Sequence, residues 1–206
     1  ALLNPDFTVS YVAEVGSPSL PSWVQAVSLW SSLNGSILLW VLMLAIYVLG
    51  MQIHIRKRFP AYEPWALGVV FSVSVFFCFL VAGIADPFEP TTDEALAEMV
   101  ALWGVGENGL PADGSGPNPL LQNHVLMVIH PPMLYLGYVG MSVPFALACA
   151  GLLAGRLDAE WGRVIRTWLL IPWGFLTVGI ILGGWWSYEV LGWGGWWAWD
   201  PVENPP

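Results

Sequence analysis

The fold of this chain is decided by the stretch Ser36-Ile-Leu-Leu-Trp40-Val-Leu-Met-Leu-Ala-Ile-Tyr47-Val-Leu-Gly-Met-Gln-Ile53. It has no charged side chain, and as a helix rising ~1.5 Å per residue it is long enough to cross most of the ~30 Å hydrocarbon core of a bilayer. The same character extends outward, because the 206 residues are 56% hydrophobic and only 10% charged. This composition predicts an all-α polytopic integral membrane protein. We expect transmembrane helices at residues 34–55, 65–85, 131–153 and 167–187.

The basic residues predict the orientation of these helices. All six Lys and Arg lie in the two short loops that follow the first and third helices: Arg56, Lys57, Arg58, Arg156, Arg163 and Arg166. Because basic loops stay in the cytoplasm, we expect both loops on that side. The opposite, external face would then hold residues 1–33 with an interfacial amphipathic helix, the loop 86–130 and the tryptophan-rich end 188–206.

The densest group of aromatic rings is Trp193-Gly-Gly-Trp-Trp-Ala-Trp-Asp200, with Trp186 a short way upstream. Indoles gather at membrane interfaces simply to anchor spans, which is the expected role of Trp23, Trp65, Trp161 and Trp168. Anchoring alone does not need Gly194 and Gly195, which allow a flat ligand to approach closely. We therefore favour a surface that binds something flat, large and mostly apolar, such as haem. The sequence Asp200-Pro-Val-Glu203 is also typical of a helix start, so its carboxylates are expected to be structural.

His130 is the candidate metal ligand. It precedes Pro131-Pro132, and because proline is tolerated in the first turn of a helix, we expect the third span to begin there with His130 at the interface. A neutral imidazole is a common axial ligand of haem iron. The alternative is an ordinary histidine that hydrogen-bonds to water or backbone. His124 is a weaker candidate because a six-residue spacing shares no helical face, and His54 is expected to be solvated beside the basic cluster.

These motifs resemble those of a known family. Residues 193–204 resemble the tryptophan-rich WWD signature of the haem-handling membrane proteins of cytochrome c maturation, and the Pro-Val-Glu-Asn ending resembles the CcmF type, the haem lyase subunit of the system I pathway. His130-Pro-Pro is similar to the HPP segment of that family, whose histidine lies on the external side. Further similarity lies in Asn118-Pro-Leu-Leu-Gln122 and in residues 6–12 and 34–40, so the resemblance covers nearly the whole chain.

The resemblance implies a protein of the bacterial inner membrane that binds haem on its periplasmic face and does not bind nucleic acid. His130 would be an axial ligand of the iron. The residues expected to hold the ring are Trp186, Trp193, Gly194, Gly195, Trp196, Trp197, Trp199 and Asp200. Haem would come from a CcmE-like haem chaperone, and its vinyl groups would meet the CxxCH thiols of an apocytochrome c brought with a CcmH-like thiol-handling partner. The enzyme would contribute positioning rather than acid–base chemistry.

The chain also departs from the family pattern. A haem lyase of this type is longer, with a second external histidine and two membrane histidines that hold a structural b-type haem, and these are missing here. The opening of the chain lacks the charged region of a signal peptide. We expect part of a longer or split protein that is not an active lyase alone. Cys78 and Cys149 form no CxxC motif and are expected to be packing residues.

Two other functions fit the same residues. One is a CcmC-like module that loads haem onto a chaperone without forming thioethers, and the other is a structural subunit whose tryptophans only anchor it. The Pro-Val-Glu-Asn ending and the HPP segment favour the lyase over the CcmC-like module. Because the predicted external face has no Lys or Arg, haem propionates would have to meet solvent, backbone or indole N–H groups, or another chain.

Overall fold

A computed structural model describes residues 1–119, 124–190 and 195–197. Within these ranges the chain forms helices and turns without a β-strand, which confirms the all-α prediction. The helices are α1 (Ser10–Val15), α2 (Ser22–Val27), α3 (Leu33–Arg58), α4 (Glu63–Val81), α5 (Asp93–Trp103), α6 (Leu126–Gly140), α7 (Ser142–Leu153) and α8 (Ala159–Val190). Four segments of the described chain are long and apolar enough to cross a membrane: Leu33–Arg58, Glu63–Val81, Leu126–Leu153 and Ala159–Val190.

Charged residues mark the ends of the first two spans. α3 runs past its predicted range as far as Arg58, and the last turn carries three basic side chains that interact favourably with the partial negative charge of a helix C-terminus. α4 begins at Glu63, an acidic residue in the first turn. Beyond this first turn, α4 exposes large apolar side chains such as Phe71 and Phe79, as expected for a helix that contacts lipid.

The described chain divides into two compact units, one made of Ala1–Leu39 and Phe79–Met127 and the other of Trp40–Cys78 and the described part of Val128–Pro206. In the first unit the N-terminal segment is joined to the segment that follows α4. The hydroxyl of Thr91 donates to the carbonyl oxygen of Phe7 at 2.6 Å, and the hydroxyl of Ser17 donates to the carboxylate of Asp113 at 2.6 Å. The two segments predicted to be external therefore fold together.

The N-terminal segment differs from the amphipathic helix expected in residues 20–33. The regular helix is short, Ser22–Val27, and a 3-10 turn follows at Ser28–Trp30. The hydroxyl of Tyr11 donates to the carbonyl oxygen of Ser28 at 2.8 Å, and the N–H of Ser31 donates to the same oxygen at 3.2 Å in a 3-10 hydrogen bond. A contact from a distant tyrosine thus favours an early end to the helix, and helical periodicity alone does not reveal it.

The third span begins earlier than expected. We predicted a start at residue 131, but α6 begins at Leu126, whose N–H donates to Nδ1 of His124 at 3.2 Å. Pro131 has no N–H for the carbonyl of Met127, four residues back. The indole N–H of Trp30 donates to that carbonyl instead, at 3.0 Å. This indole replaces the helical hydrogen bond that Pro131 cannot form, which helps to accommodate Pro131 inside the helix.

The same span is interrupted at Met141, between α6 and α7. Pro144 cannot donate to the carbonyl of Gly140, so the regular pattern of helical bonds is broken there. Gly140 also lies against two side chains, since a Cβ on it would be 2.7 Å from Pro172 and from Tyr47. The irregularity therefore falls where the helix is tightly packed.

Glycines allow α6 and α8 to pack closely in the second unit. A Cβ on Gly137 would lie 2.7 Å from Leu176, and one on Gly179 would lie 2.7 Å from Leu134. Only glycine fits at such distances without a shift of the neighbour. Small residues that let two backbones approach are a usual packing device of membrane helices. Gly179 and Gly183 form a Gly-xxx-Gly pair on α8, and this face carries the candidate site.

The two basic loops meet at one end of the second unit. The hydroxyl of Tyr62 donates to the carboxylate of Asp158 at 3.1 Å, which links the two loops directly. His54, predicted to be solvated, accepts the indole N–H of Trp168 at 3.0 Å. Trp168, predicted to be an interfacial anchor, is only 8% exposed and packs within the unit instead.

Candidate functional site

His130 lies inside α6 and is anchored to α8. Its Nδ1 is 2.9 Å from the carbonyl oxygen of Gly179. Because a carbonyl oxygen can only accept, Nδ1 carries the proton of this hydrogen bond. A neutral imidazole then keeps its lone pair on Nε2, which is the form that binds a metal. Anchoring of one ring nitrogen by a backbone carbonyl is also how metal-binding histidines are commonly held in one tautomer and one direction.

Two further residues of α8 hold the same imidazole. A Cβ on Gly183 would lie 2.6 Å from Cε1 of His130, so a larger residue there would displace the ring. The indole of Trp186 meets the imidazole edge to face, with ring centroids 5.5 Å apart and 70° between the planes. Gly179, Gly183 and Trp186 lie on adjoining turns of one helix face, and together they fix the position of His130.

Two buried polar atoms beside this histidine have no hydrogen-bond partner in the part of the chain that the structure describes. They are Nε1 of Trp186 and Oγ of Ser187. A buried donor without a partner costs about 1–3 kcal/mol, so native structures rarely leave one unpaired. Both atoms belong to the turn of α8 that contacts His130. They are donors suited to the polar atoms of a ligand.

The described part of the tryptophan-rich end folds back on the last turns of α8. The indole of Trp196 stacks on the ring of Tyr188, with centroids 5.3 Å apart and 19° between the planes. A Cβ on Gly184 would lie 3.1 Å from the carbonyl oxygen of Trp196, so the returning chain runs close to the helix. Trp196 is 54% exposed, which leaves a flat apolar surface open at this position.

The residues predicted to hold a flat ring are only partly within the described chain. The structure describes Trp186, Gly195, Trp196 and Trp197, whereas Trp193, Gly194, Trp199 and Asp200 lie outside the described residues, as does Glu203. Gly183 contacts His130, and the next residue, Gly184, contacts Trp196. The histidine and one of the tryptophans thus meet the same short stretch of α8. That they share one ligand remains a prediction.

The other histidines lie in different settings. His124 accepts the N–H of Leu126 at the start of α6, and His54 accepts from Trp168 beside the basic loops. In the described ranges no three His, Cys, Asp or Glu side chains are grouped as a metal site. His130 is in ring contact with Trp186, one of the tryptophans predicted to bind the ligand.

Sequence reasoning missed Gly179, Gly183 and Tyr188. The Gly-xxx-Gly spacing is a signal that could have found the two glycines, because it marks a helix face that packs closely against another helix. It does not show which partner residue packs there, so the contact with His130 stays hidden. Tyr188 offered no signal, since its partner Trp196 lies beyond the end of α8 and no helical spacing pairs the two rings.

Helices of membrane-spanning length, with a backbone-anchored histidine beside an aromatic ring on a neighbouring helix, define a polytopic membrane protein with a candidate ligand site on helix faces. The model of one family, described as Cytochrome C assembly protein, matches residues 30–205. The chain belongs to this family, as its motifs predict.

Curated relatives are similar to almost the whole chain. It is 42% identical over 204 residues to the cytochrome c-type biogenesis protein CcmF of Pseudomonas aeruginosa and to CcmF of Escherichia coli, which covers 99% of this chain and 29% of each relative. It is 35% identical over 199 residues to the cytochrome c-type biogenesis protein NrfE of Haemophilus influenzae, covering 97% of this chain and 29% of that protein. The chain thus spans less than a third of the length of these relatives. No solved structure matches it.

Proposed function

We propose that this chain binds haem as a substrate and positions it for covalent attachment to the CxxCH thiols of an apocytochrome c. The observation that carries the proposal is the hydrogen bond between Nδ1 of His130 and the carbonyl of Gly179. This bond leaves the lone pair of Nε2 available to bind a metal. Membership of the cytochrome c assembly family supports it, as does similarity to proteins named for cytochrome c biogenesis.

The neighbouring residues suit a porphyrin. Nε2 of His130 would ligate the iron, and the faces of Trp186, Trp196 and Trp197 would contact the apolar part of the ring, since indoles offer large flat surfaces. The predicted external face has no Lys or Arg for the propionates. The buried N–H of Trp186 and the hydroxyl of Ser187 are donors that would serve a polar edge of the haem instead.

The reaction requires the haem vinyl groups and the cysteine thiols to be held in position. A thioether forms when a cysteine S–H adds across a haem vinyl group, so that one C–S bond forms and the thiol hydrogen ends on the other vinyl carbon. Holding ring and thiols together contributes about 7 kcal/mol or more to such a step, without a general acid or base from this chain. A CcmE-like chaperone would deliver the haem and a CcmH-like partner the apocytochrome, on the periplasmic face of the bacterial inner membrane.

The test is His130→Ala in the full-length protein, purified and assayed for substrate haem as the Soret absorbance above that of the structural b-type haem that the family resemblance implies, with His124→Ala as the matched control. We expect His130→Ala to lose the substrate haem and the cell to lose its c-type cytochromes, while His124→Ala keeps both. Added imidazole should restore the Soret band to His130→Gly, because it replaces the missing ligand. Unchanged haem content in His130→Ala would remove this residue as a ligand.

A second experiment separates attachment from haem loading. Haem chaperone already loaded with haem is supplied to membranes that contain or lack this protein, and thioether product on a CxxCH apocytochrome is measured. The proposed lyase role requires product only where the protein is present. Equal product in both membranes would favour the CcmC-like loading function.

A further inference from the structure

A second candidate site lies at the basic end of the second unit, away from the His130 site. It is a polar cavity of about 360 Å³ between the end of α3 and the start of α8. The lining residues that matter here are His54, Arg58, Phe59, Glu160, Arg163 and Thr167. The cavity therefore combines side chains from both basic loops, more than a hundred residues apart in sequence.

The charges of this cavity favour an anion. It holds the guanidinium groups of Arg58 and Arg163 against the single carboxylate of Glu160. Neither arginine forms an ion pair with another residue in the described chain. Arginine presents a planar fork of N–H donors that matches the oxygens of a phosphate group. Two unpaired arginines in one cavity are thus suited to a phosphate.

A third donor is held in place by a buried tryptophan. The indole N–H of Trp168 donates to Nδ1 of His54 at 3.0 Å, so Nδ1 is an acceptor and carries no proton. The neutral ring then has its N–H at Nε2. Phe59 packs edge to face on the same imidazole, with centroids 6.0 Å apart, and helps to keep its direction. His54 is therefore held as a hydrogen-bond donor in the lining of the cavity.

The surroundings of the cavity favour a lipid over a soluble anion. On α3, Ile53 directly precedes His54 and is 71% exposed, and on α8, Leu170 lies about one turn beyond Thr167 and is 51% exposed. Both helices are of membrane-spanning length, so these side chains lie where acyl chains would run. A polar, cationic cavity that continues into exposed apolar helix surface matches a molecule with an anionic head and a hydrocarbon tail.

We propose that this cavity binds the phosphate group of an anionic phospholipid through Arg58, Arg163 and the Nε2–H of His54. The acyl chains of the lipid lie along the exposed apolar faces of α3 and α8. Basic pockets at the ends of membrane helices attract anionic headgroups in this way. Such a lipid bridges the ends of two spans that are distant in sequence.

The experiment is a lipid titration of the full-length protein in detergent, followed by native mass spectrometry. The probes are dioleoylphosphatidylglycerol, dioleoylphosphatidylcholine and inorganic phosphate. The test variant is Arg58→Gln with Arg163→Gln, and the matched control is Arg56→Gln with Arg166→Gln, which removes the same charge from the same loops outside the cavity lining. Arg58→Lys with Arg163→Lys reports whether a positive charge suffices.

We expect the protein to bind phosphatidylglycerol more tightly than phosphatidylcholine. The test variant should lose about twenty-five-fold in phosphatidylglycerol affinity, because each of the two basic residues contributes roughly fivefold, and the control should change less than about twofold. The lysine variant should keep most of the preference. Equal losses in test and control variants would overturn the site and leave only general attraction to the basic loops. Binding of inorganic phosphate without preference for either lipid would overturn the lipid source.

Discussion

His130 shows that the position of a candidate ligand can depend on a helix other than its own. Its place in α6 sets the height of the ring, but Gly179, Gly183 and Trp186 of α8 set the tautomer and direction. A carbonyl partner, a missing Cβ and an aromatic edge each act on a different part of the imidazole. Changes on α8 should therefore alter haem ligation without touching the histidine.

Gly183→Ala tests this dependence. The new Cβ would lie 2.6 Å from Cε1 of His130, and relief of such overpacking costs about 1–3 kcal/mol or moves the ring. We expect the substrate haem retained per purified full-length protein, counted above the structural b-type haem that the family resemblance implies, to fall by about fivefold or more. Gly174→Ala, on the same helix, is the control, because a Cβ at that position would meet no atom within 4 Å. Equal haem content in the two variants would show that Gly183 does not position the ligand.

Asp113 makes the first unit sensitive to acid. Burial acts to raise the pKa of Asp113, but donation from the Ser17 hydroxyl and the Gly114 N–H outweighs it, and the pKa lies below its usual 3.8. A carboxyl with a lowered folded pKa stabilises the fold above its unfolded pKa of about 3.9, and that stability is lost as pH falls through the folded pKa.

We expect hydrogen exchange in Ser10–Val15 and Ser22–Val27 to accelerate as the pH falls below about 4, after correction for the intrinsic pH dependence of exchange. Ser17→Ala removes one donor to Asp113, so its exchange should already be faster at pH 6 and should change less on acidification. Ser115→Ala, an exposed site, is the control. The same acid response in Ser17→Ala as in the unmodified protein would exclude Asp113 as its source.

At the scale of helices, the start of α5 is set by neighbouring residues in the sequence, whereas the start of α6 is set by packing against a distant residue. Thr92 and Asp93 are both residue types that commonly cap a helix, and α5 is Asp93–Trp103 with the hydroxyl of Thr92 accepting the N–H of Ala95 at 3.2 Å. Capping involves neighbours in sequence, so it could be predicted. The start of α6 depends on a bond from Trp30 to Met127, and no local pattern shows that bond.

The glycine contacts between α6 and α8 predict a loss of stability in Gly137→Ala. A Cβ on Gly137 would lie 2.7–2.9 Å from Leu176, including its backbone atoms, so the neighbour cannot simply rotate away. We expect a loss of about 1–3 kcal/mol, measured as the free energy of unfolding in mixed micelles. Gly174→Ala again serves as the control. A stability equal to that of the control would mean that the two helices separate easily and that this contact does not hold them.

At the scale of the whole chain, the spans were predictable and the site was only partly so. The length of the apolar segments identified all four spans of the described chain, because any helix that crosses a bilayer needs a long apolar segment. The motif also identified His130. Its bond to Gly179 joins residues 49 positions apart, and such pairing depends on how helices pack rather than on any repeat in the sequence. The stacking of Trp196 on Tyr188 likewise pairs a residue of α8 with one beyond its end, which no helical spacing predicts.

The orientation of the whole chain is open to a direct test, in which Cys78 and Cys149 are replaced by serine and single cysteines are placed at Ser115 and Leu157. Every Lys and Arg lies at residues 56–58 or 156–166, in or beside the helix ends that flank the loops after the first and third spans. These loops should therefore be cytoplasmic, and Ser115 should be periplasmic with the segment that joins the N-terminus. We expect a membrane-impermeant maleimide to label Ser115→Cys in spheroplasts, and Leu157→Cys only after permeabilisation. The reverse labelling would place the Trp-rich end in the cytoplasm, away from the compartment where a periplasmic haem lyase must work, and would contradict the proposed function together with the orientation.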